Sequence, residues 1–166
     1  MPLSSCVVSV LVAVTTSPAL ACPDPGPDWT ATPFLGELTF SGHNGLSDLS
    51  MSTKAGGVWN LRDCGLEGEA LTGFRGDGLV DIRPDLLLHW RGEAGQLVVG
   101  TEFDEDTFLL IHGPEGIWLF DDNGRGHDPL VVIDAPKAGD YVIWIGTHGT
   151  TRFTRTGTLL VSQAGP

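Results

Sequence analysis

The segments TFLLIHGPEGIWLF (residues 107–120) and LVVIDAPKAGDYVIWIG (residues 130–146) carry the clearest structural signal in this chain. Each contains two apolar runs, rich in Val, Ile, Trp or Phe, on either side of a short segment with Pro and Gly. This pattern is typical of β-strands joined by a tight connection. We therefore predict two hairpins. Gly113–Gly116 suits a type I turn, with Pro at its second position and Gly at its fourth, and residues 135–139 are predicted to make the same kind of link.

Strands that are apolar on both faces are expected in the middle of a covered sheet. Residues 107–112 and 140–146 have this character, because successive positions in both runs are apolar and successive side chains of a strand point to opposite faces. Runs that alternate with polar residues, such as LSMS (49–52) and LVDIR (79–83), are predicted to form outer strands. With 23 glycines and 11 prolines, and no long segment with apolar residues at helical spacing, the chain is predicted to be all-β.

The first 21 residues have the features of a signal peptide. They contain no charged side chain, have an apolar stretch at residues 7–14, and end in an A-x-A pattern at residues 19–21. The following segment, residues 22–34, contains several prolines and is predicted to be an extended arm. The remainder, residues 35–166, has the size of one domain. These observations predict a secreted or periplasmic protein with no membrane span after cleavage.

Cysteine usage supports export. Cys6 lies in the predicted signal peptide, which leaves Cys22 and Cys64 as an even pair in an oxidising compartment. A disulfide between them is expected to stabilise the fold by roughly 3–4 kcal/mol in the chain-entropy model. An alternative stays open, because ALAC at residues 19–22 is similar to a lipoprotein cleavage site at which Cys22 would be acylated.

The formal net charge of -12 restricts the partners. Such a surface repels nucleic acid and anionic lipid, so we expect no nucleic-acid partner. It is compatible with divalent cations and with basic partners. Acidity that serves only solubility is the alternative interpretation.

Residues 106–147 resemble the bacterial pre-peptidase C-terminal domain. The shared features occur in order: a strand beginning Asp-Thr, a Pro-Gly-type turn, an aromatic strand ending in Asp-Asp with a Gly-rich loop, and a final strand that contains Asp-Tyr and ends in Ile-Gly. AGGVWNLRDCG (55–65) and IRPDLLLHW (82–90) are similar to segments of small secreted proteobacterial proteins with this sandwich, often labelled as peptidases. The resemblance implies a jelly-roll-like antiparallel β-sandwich that is secreted and is usually appended to exported enzymes.

The acidic loop LFDDNGRGHDPL (residues 119–130) is a candidate cation site. Calcium prefers six to eight oxygen ligands from carboxylates, amides and carbonyls. The candidate ligands in or near this loop are Asp121, Asp122, Asn123, Asp128, Asp104 and Asp106. The competing interpretation is structural, since Asp and Asn also close turns by accepting hydrogen bonds from backbone amides.

Catalytic motifs are weak. The five histidines are scattered singly, without zinc-ligand spacing. The chain has no Gly-x-Ser-x-Gly segment, so a serine-hydrolase triad would depend on serines between residues 41 and 52. Trp90 and His127 are candidate binding residues. We predict a non-catalytic module that binds a protein, a cell-envelope component or a polysaccharide. A hydrolase and a calcium-stabilised structural module are the alternatives.

Overall fold

The computed structural model describes residues 22, 26–40, 48–66, 78–92, 95–149 and 154–164. The predicted signal peptide, residues 1–21, lies outside them. The strands within these ranges are β1 (Glu37–Phe40), β2 (Asp48–Ala55), β3 (Trp59–Asn60), β4 (Gly78–Val80), β5 (Leu86–Trp90), β6 (Gln96–Glu102), β7 (Thr107–His112), β8 (Trp118–Asp121), β9 (Leu130–Asp134), β10 (Gly139–His148) and β11 (Arg155–Ala164).

The strands form two sheets, which confirms the prediction of an all-β sandwich. Sheet A is organised around β10, which pairs with β7 along one edge and with β5 and then β4 along the other. β1, β3 and β8 complete this sheet at its borders. Sheet B has the order β2-β11-β6-β9. Pairing is antiparallel throughout, except that β1 runs parallel to β5.

The main core lies between the sheets. It contains inward-facing side chains of both, among them Leu88, Trp90, Leu97, Ile111 and Ile143, all fully buried. A second apolar cluster covers the outer face of sheet A. Its buried members are Leu61, Val80, Phe108, Leu110, Val142 and Trp144. Sheet A is therefore apolar on both faces, and this explains why β7 and β10 have no polar side.

The prediction that β7 and β10 are central, covered strands is confirmed by their burial. β2 is an outer strand of sheet B, as predicted, whereas the outer strand predicted from LVDIR is wrong, because β4 is buried and lies between β10 and β3. By contrast, β8 and β9 lie at borders of their sheets, and Val132 in β9 is 47% exposed.

One predicted hairpin is correct and the other is wrong. β7 and β8 pair directly, with Ile111 opposite Leu119. β9 and β10, in contrast, belong to different sheets, so residues 135–138 form a crossing between the sheets. Two apolar runs around Pro136 are compatible both with a hairpin and with a crossing between sheets. Only the pairing of each strand with distant parts of the chain distinguishes these two arrangements.

The turn type predicted for residues 113–116 is also wrong. Glu115 has φ 66° and ψ 14°, whereas a type I turn has negative φ at both central positions. A positive φ at the third position belongs to type II geometry, which usually requires Gly or Asn there. The Glu115 side chain forms an ion pair with Lys137, which lies in the connection between β9 and β10.

The predicted disulfide is present and joins Cys22 to Cys64 across a Cα–Cα distance of 4.6 Å. Cys64 ends a one-turn 3-10 helix, Leu61–Cys64, which begins after the side chain of Asn60 accepts a hydrogen bond from the Arg62 amide. The disulfide therefore ties the N-terminal arm to the second apolar cluster, which covers the outer face of sheet A. Within the described ranges, no helix has the length and apolar character that crossing a membrane requires.

Candidate functional site

The N-terminal arm presents an exposed indole, that of Trp29. The Asp28 amide donates to the Ile82 carbonyl at 2.8 Å, which attaches the arm to the body of the sandwich. The Asp28 carboxylate then accepts hydrogen bonds from both the amide and the hydroxyl of Thr30, at 2.9 and 2.6 Å. These bonds lower the pKa of Asp28, so the carboxylate stays ionised and closes the turn that carries Trp29.

Trp29 stacks on His112 from β7, with ring centroids 4.7 Å apart and an interplanar angle of 19°. Trp118 from β8 contacts both rings, edge-on to Trp29 at 6.1 Å. Burial lowers the pKa of the His112 imidazole, so this ring is uncharged at neutral pH. The result is an aromatic platform on the outer face of sheet A, of which Trp29 remains 43% exposed.

A groove of about 560 Å³ runs beside this platform, and we call it the Trp29 groove. Its floor contains Leu87 and Val142, which project from the outer faces of β5 and β10. Its charged rim consists of Arg91, Asp140 and Glu115, with Pro114 beside Glu115 in the β7–β8 turn. The groove thus combines an aromatic wall, an apolar floor and charged groups at the rim, which is the usual composition of a small-ligand site.

Asp140 also belongs to a charged network on the outer face of sheet A. His89 lies between two carboxylates, with Nδ1 2.7 Å from Asp140 Oδ1 and Nε2 3.2 Å from Glu37 Oε2. Asp140 and, after it, Glu37 raise the pKa of His89 by accepting hydrogen bonds from its ring nitrogens. Arg91 lies 3.7 Å from the same Asp140 oxygen. This network fixes the orientation of the Asp140 carboxylate at the groove rim.

The predicted acidic loop connects β8 in sheet A to β9 in sheet B. Asp121 Oδ2 accepts hydrogen bonds from the amides of Gly124 and Leu130, at 2.7 and 2.8 Å. Asp128 Oδ1 accepts one from the Phe103 amide at 3.0 Å. Both carboxylates therefore hold backbone in place, which is what the structural interpretation of the loop describes.

The other candidate ligands are dispersed. Asp122 faces His148, with 3.6 Å between Oδ2 and Nε2. Asn123, Asp104 and Asp106 are exposed. Among the residues that the structure describes, no three His, Cys, Asp or Glu side chains are grouped closely enough to hold a metal ion. The calcium site stays a prediction. Two of its candidate ligands, Asp121 and Asp128, already accept hydrogen bonds from backbone amides.

The two predicted binding residues lie in contrasting environments. Trp90 is fully buried in the main core and stacks on Phe40 at a centroid distance of 6.3 Å. Its side chain points into the core from β5, and a ligand contact at Trp90 stays a prediction. His127 is exposed in the acidic loop.

Of the serines considered for hydrolysis, Ser50 and Ser52 lie on the outer strand β2, while Ser41 and Ser47 lie outside the described residues.

The aromatic platform was not predicted from the sequence. Trp29 lies in a proline-rich arm without strand periodicity, and His112 ends a strand whose other side chains are buried. The available signal was the presence of two large aromatic residues, Trp29 and Phe34, in an arm that is otherwise rich in proline and polar residues. Its importance becomes visible only when the arm is placed against sheet A.

Comparison with solved structures found similarity to the crystal structure of Aeromonas hydrophila PliG, a periplasmic lysozyme inhibitor of g-type lysozyme. The two proteins are 13% identical, the match covers 76% of this chain and 96% of that chain, and the TM-score is 0.42. No protein-family model matches the chain, and neither does any curated protein.

Proposed function

We propose that this chain is an exported, non-catalytic β-sandwich module that binds a neutral polysaccharide in the Trp29 groove. The observation that carries the proposal is the aromatic platform, in which Trp29 is held flat against His112 at 4.7 Å and yet remains 43% exposed. An exposed ring fixed in this way offers apolar area at little cost in side-chain entropy. Sugar rings present apolar C–H faces of matching size.

The groove rim provides the polar contacts that sugar hydroxyls need. Arg91 donates hydrogen bonds only, whereas the carboxylates of Asp140 and Glu115 accept them. A hydroxyl both donates and accepts, so a rim with both kinds of group matches it from either side. Because the contacts of Asp140 with His89 and Arg91 hold it in place, little further ordering is needed when a ligand binds.

The charge of the protein favours a neutral glycan over an acidic one. The net charge is -12, and Glu37, Glu115 and Asp140 lie in or beside the groove. A polysaccharide rich in carboxylates or sulfates would meet repulsion over the whole approach. A neutral glycan meets none and gains the stacking contact.

Two features support an exported module. The Cys22–Cys64 disulfide is characteristic of proteins that fold outside the reducing cytosol. The second feature is the resemblance of residues 106–147 to the pre-peptidase C-terminal domain, which we include in the proposal. Its support is the direct pairing of β7 with β8 and the central place of β10, three strands that come from the segment of the resemblance.

Co-sedimentation with insoluble neutral polysaccharides tests the proposal. Purified protein is mixed with cellulose, chitin and an insoluble starch, and the fraction bound is compared for wild type and for Trp29→Ala. We expect binding to at least one polysaccharide and a loss of about ten-fold or more in affinity in the variant, since a central aromatic contact typically contributes at least about 2 kcal/mol.

Phe34→Ala is the matched control. Phe34 is another exposed aromatic of the N-terminal arm, 52% exposed, but it lies against Arg83 and not in the groove. It is expected to bind as the wild type does. Equal binding by Trp29→Ala and wild type, or binding to none of the neutral polysaccharides, would contradict the proposal.

A further inference from the structure

Sheet A has a gap in its hydrogen bonding beside β10. β5 pairs with β10 up to Ile143, and β4 pairs with it only from Thr147. Between them, the Ile145 amide donates to Asp85 Oδ2 at 2.7 Å, and the Ile145 carbonyl accepts from the Gly56 amide at 3.0 Å. The Asp85 side chain thus takes the place of a missing strand partner at this point of the sheet.

A cavity of about 540 Å³ opens at this gap, and we call it the Asp85 cavity. Phe34, Leu35 and Val58 provide apolar walls. Phe34 is held by Arg83, whose guanidinium lies 4.2 Å from the ring centroid and donates to the Thr32 carbonyl at 3.0 and 2.8 Å. The volume falls in the range of small-molecule sites, roughly 300–1,000 Å³.

The backbone at the cavity wall depends on a glycine. A Cβ atom at Gly57 would lie 2.0 Å from the backbone carbon of Val80, so only glycine permits this close approach. Gly57 lines the cavity next to Gly56, the donor to Ile145. The cavity is therefore bounded by closely packed backbone on this side.

The Asp85 carboxyl has one oxygen left for a ligand. The residue is only 8% exposed and lines the cavity, and Oδ2 is the atom that binds Ile145. Within the described part of the chain, Oδ1 has no hydrogen-bond partner and Asp85 forms no salt bridge. Oδ1 is thus free to accept a hydrogen bond from a ligand in the cavity, and a positively charged donor would compensate the buried carboxylate best.

We propose that the Asp85 cavity binds a small organic ammonium ligand, with its cationic nitrogen on Asp85 and its apolar body against Phe34, Leu35 and Val58. Three hydroxyl-bearing residues that also line the cavity, Ser52, Thr53 and Thr156, provide further hydrogen-bonding groups. This site involves none of the residues of the Trp29 groove, so the inference stands independently of the proposed function.

The other charged groups of the cavity are Asp81 and Lys54. Burial raises the pKa of Asp85 to about 7, the Ile145 hydrogen bond opposes this rise, and the charge of Asp81 adds to it. Lys54 is exposed, and no salt bridge joins it to either carboxylate in the described ranges. A cation that enters the cavity therefore meets two carboxyl groups and one ammonium group, and it binds the ionised form of Asp85.

The experiment uses benzylammonium as the probe and benzyl alcohol as its neutral counterpart. Calorimetric titrations of the mature protein are made at about pH 8 and about pH 5.5, on either side of the Asp85 titration. We expect benzylammonium to bind about ten-fold or more tightly at the higher pH, and benzyl alcohol to bind at least about ten-fold more weakly than benzylammonium there.

Asp85→Asn keeps an acceptor for the Ile145 amide but removes the charge, and it is expected to weaken benzylammonium binding by about ten-fold or more. Asp48→Asn, an exposed change on β2 outside the cavity, is the control and should bind as the wild type does. If Asp85→Asn does not fold, the pH dependence of the wild type still tests the proposal. Undiminished binding by Asp85→Asn, equal binding of benzyl alcohol, or no benzylammonium binding at the higher pH would overturn it.

Discussion

Asp85→Asn is expected to change how the stability of the protein depends on pH. Burial raises the pKa of the Asp85 carboxyl from 3.8 to about 7 in the folded state. Between these values the folded protein holds a proton that the unfolded chain has released. The free energy of unfolding therefore falls as pH rises through this interval, because the folded state binds more protons than the unfolded state.

The difference between 3.8 and about 7 corresponds to about 4 kcal/mol, lost progressively between those pH values. Below pH 3.8 the contribution of Asp85 is fully present, and above pH 7 it is fully lost. Since small domains are stable by only about 5–15 kcal/mol, this is a large fraction of the total. Asn has no such titration, so the stability of the variant lacks this component.

The effect is measured by urea unfolding of both proteins at a series of pH values from about 4 to 8, with tryptophan fluorescence as the readout. The quantity of interest is the unfolding free energy of wild type minus that of Asp85→Asn, because titrations common to both proteins cancel. We expect it to fall as pH rises, by about 4 kcal/mol over the full range. Asp48→Asn, which removes an exposed carboxylate, should give a curve parallel to that of the wild type. A difference between wild type and Asp85→Asn that stays constant with pH would refute the reasoning.

Four further experiments test other parts of the structure. Asp121→Ala removes the acceptor of two backbone amides and should cost about 1–3 kcal/mol in urea unfolding. Thermal melts of the wild type with millimolar Ca²⁺ and with chelator test the predicted calcium site, since an ion at about 100 times its Kd adds about 2.7 kcal/mol. The double variant Cys22→Ser with Cys64→Ser should lose about 2–5 kcal/mol, measured by urea unfolding of the variant and of the oxidised wild type. Gly146→Ala places a Cβ 1.9 Å from the Phe108 ring and should cost about 1–3 kcal/mol, visible as a lower melting temperature; an unchanged temperature would contradict the packing described here.

Local sequence predicted the fold class and its central strands because these depend on apolar periodicity. β7 and β10 are apolar on both faces, and they lie under two separate apolar clusters. The disulfide followed from counting cysteines in a chain that is predicted to be exported. The partner of β9 did not follow, because a strand that crosses to the other sheet has the same local pattern as one that turns back.

Both candidate sites depend on contacts between distant parts of the chain. Trp29 becomes a platform only through His112 and Trp118, which arrive from β7 and β8. Asp85 lies buried at the gap where neither β5 nor β4 pairs with Ile145, whose strand partner, Leu109 of β7, is on the other edge of β10. Nothing near either residue in the sequence indicates these neighbours, so the sequence showed an isolated aromatic and an isolated acid.

The central claim is that Trp29 contacts the ligand, and nuclear magnetic resonance of the five tryptophan indoles tests it. Protein labelled with ¹⁵N is titrated with a soluble oligosaccharide of the polysaccharide that it sediments with. We expect the largest shift for the Trp29 indole, a smaller shift for Trp118, and none for Trp90, which is fully buried in the main core. A titration that shifts other resonances while the Trp29 indole stays in place would contradict the claim.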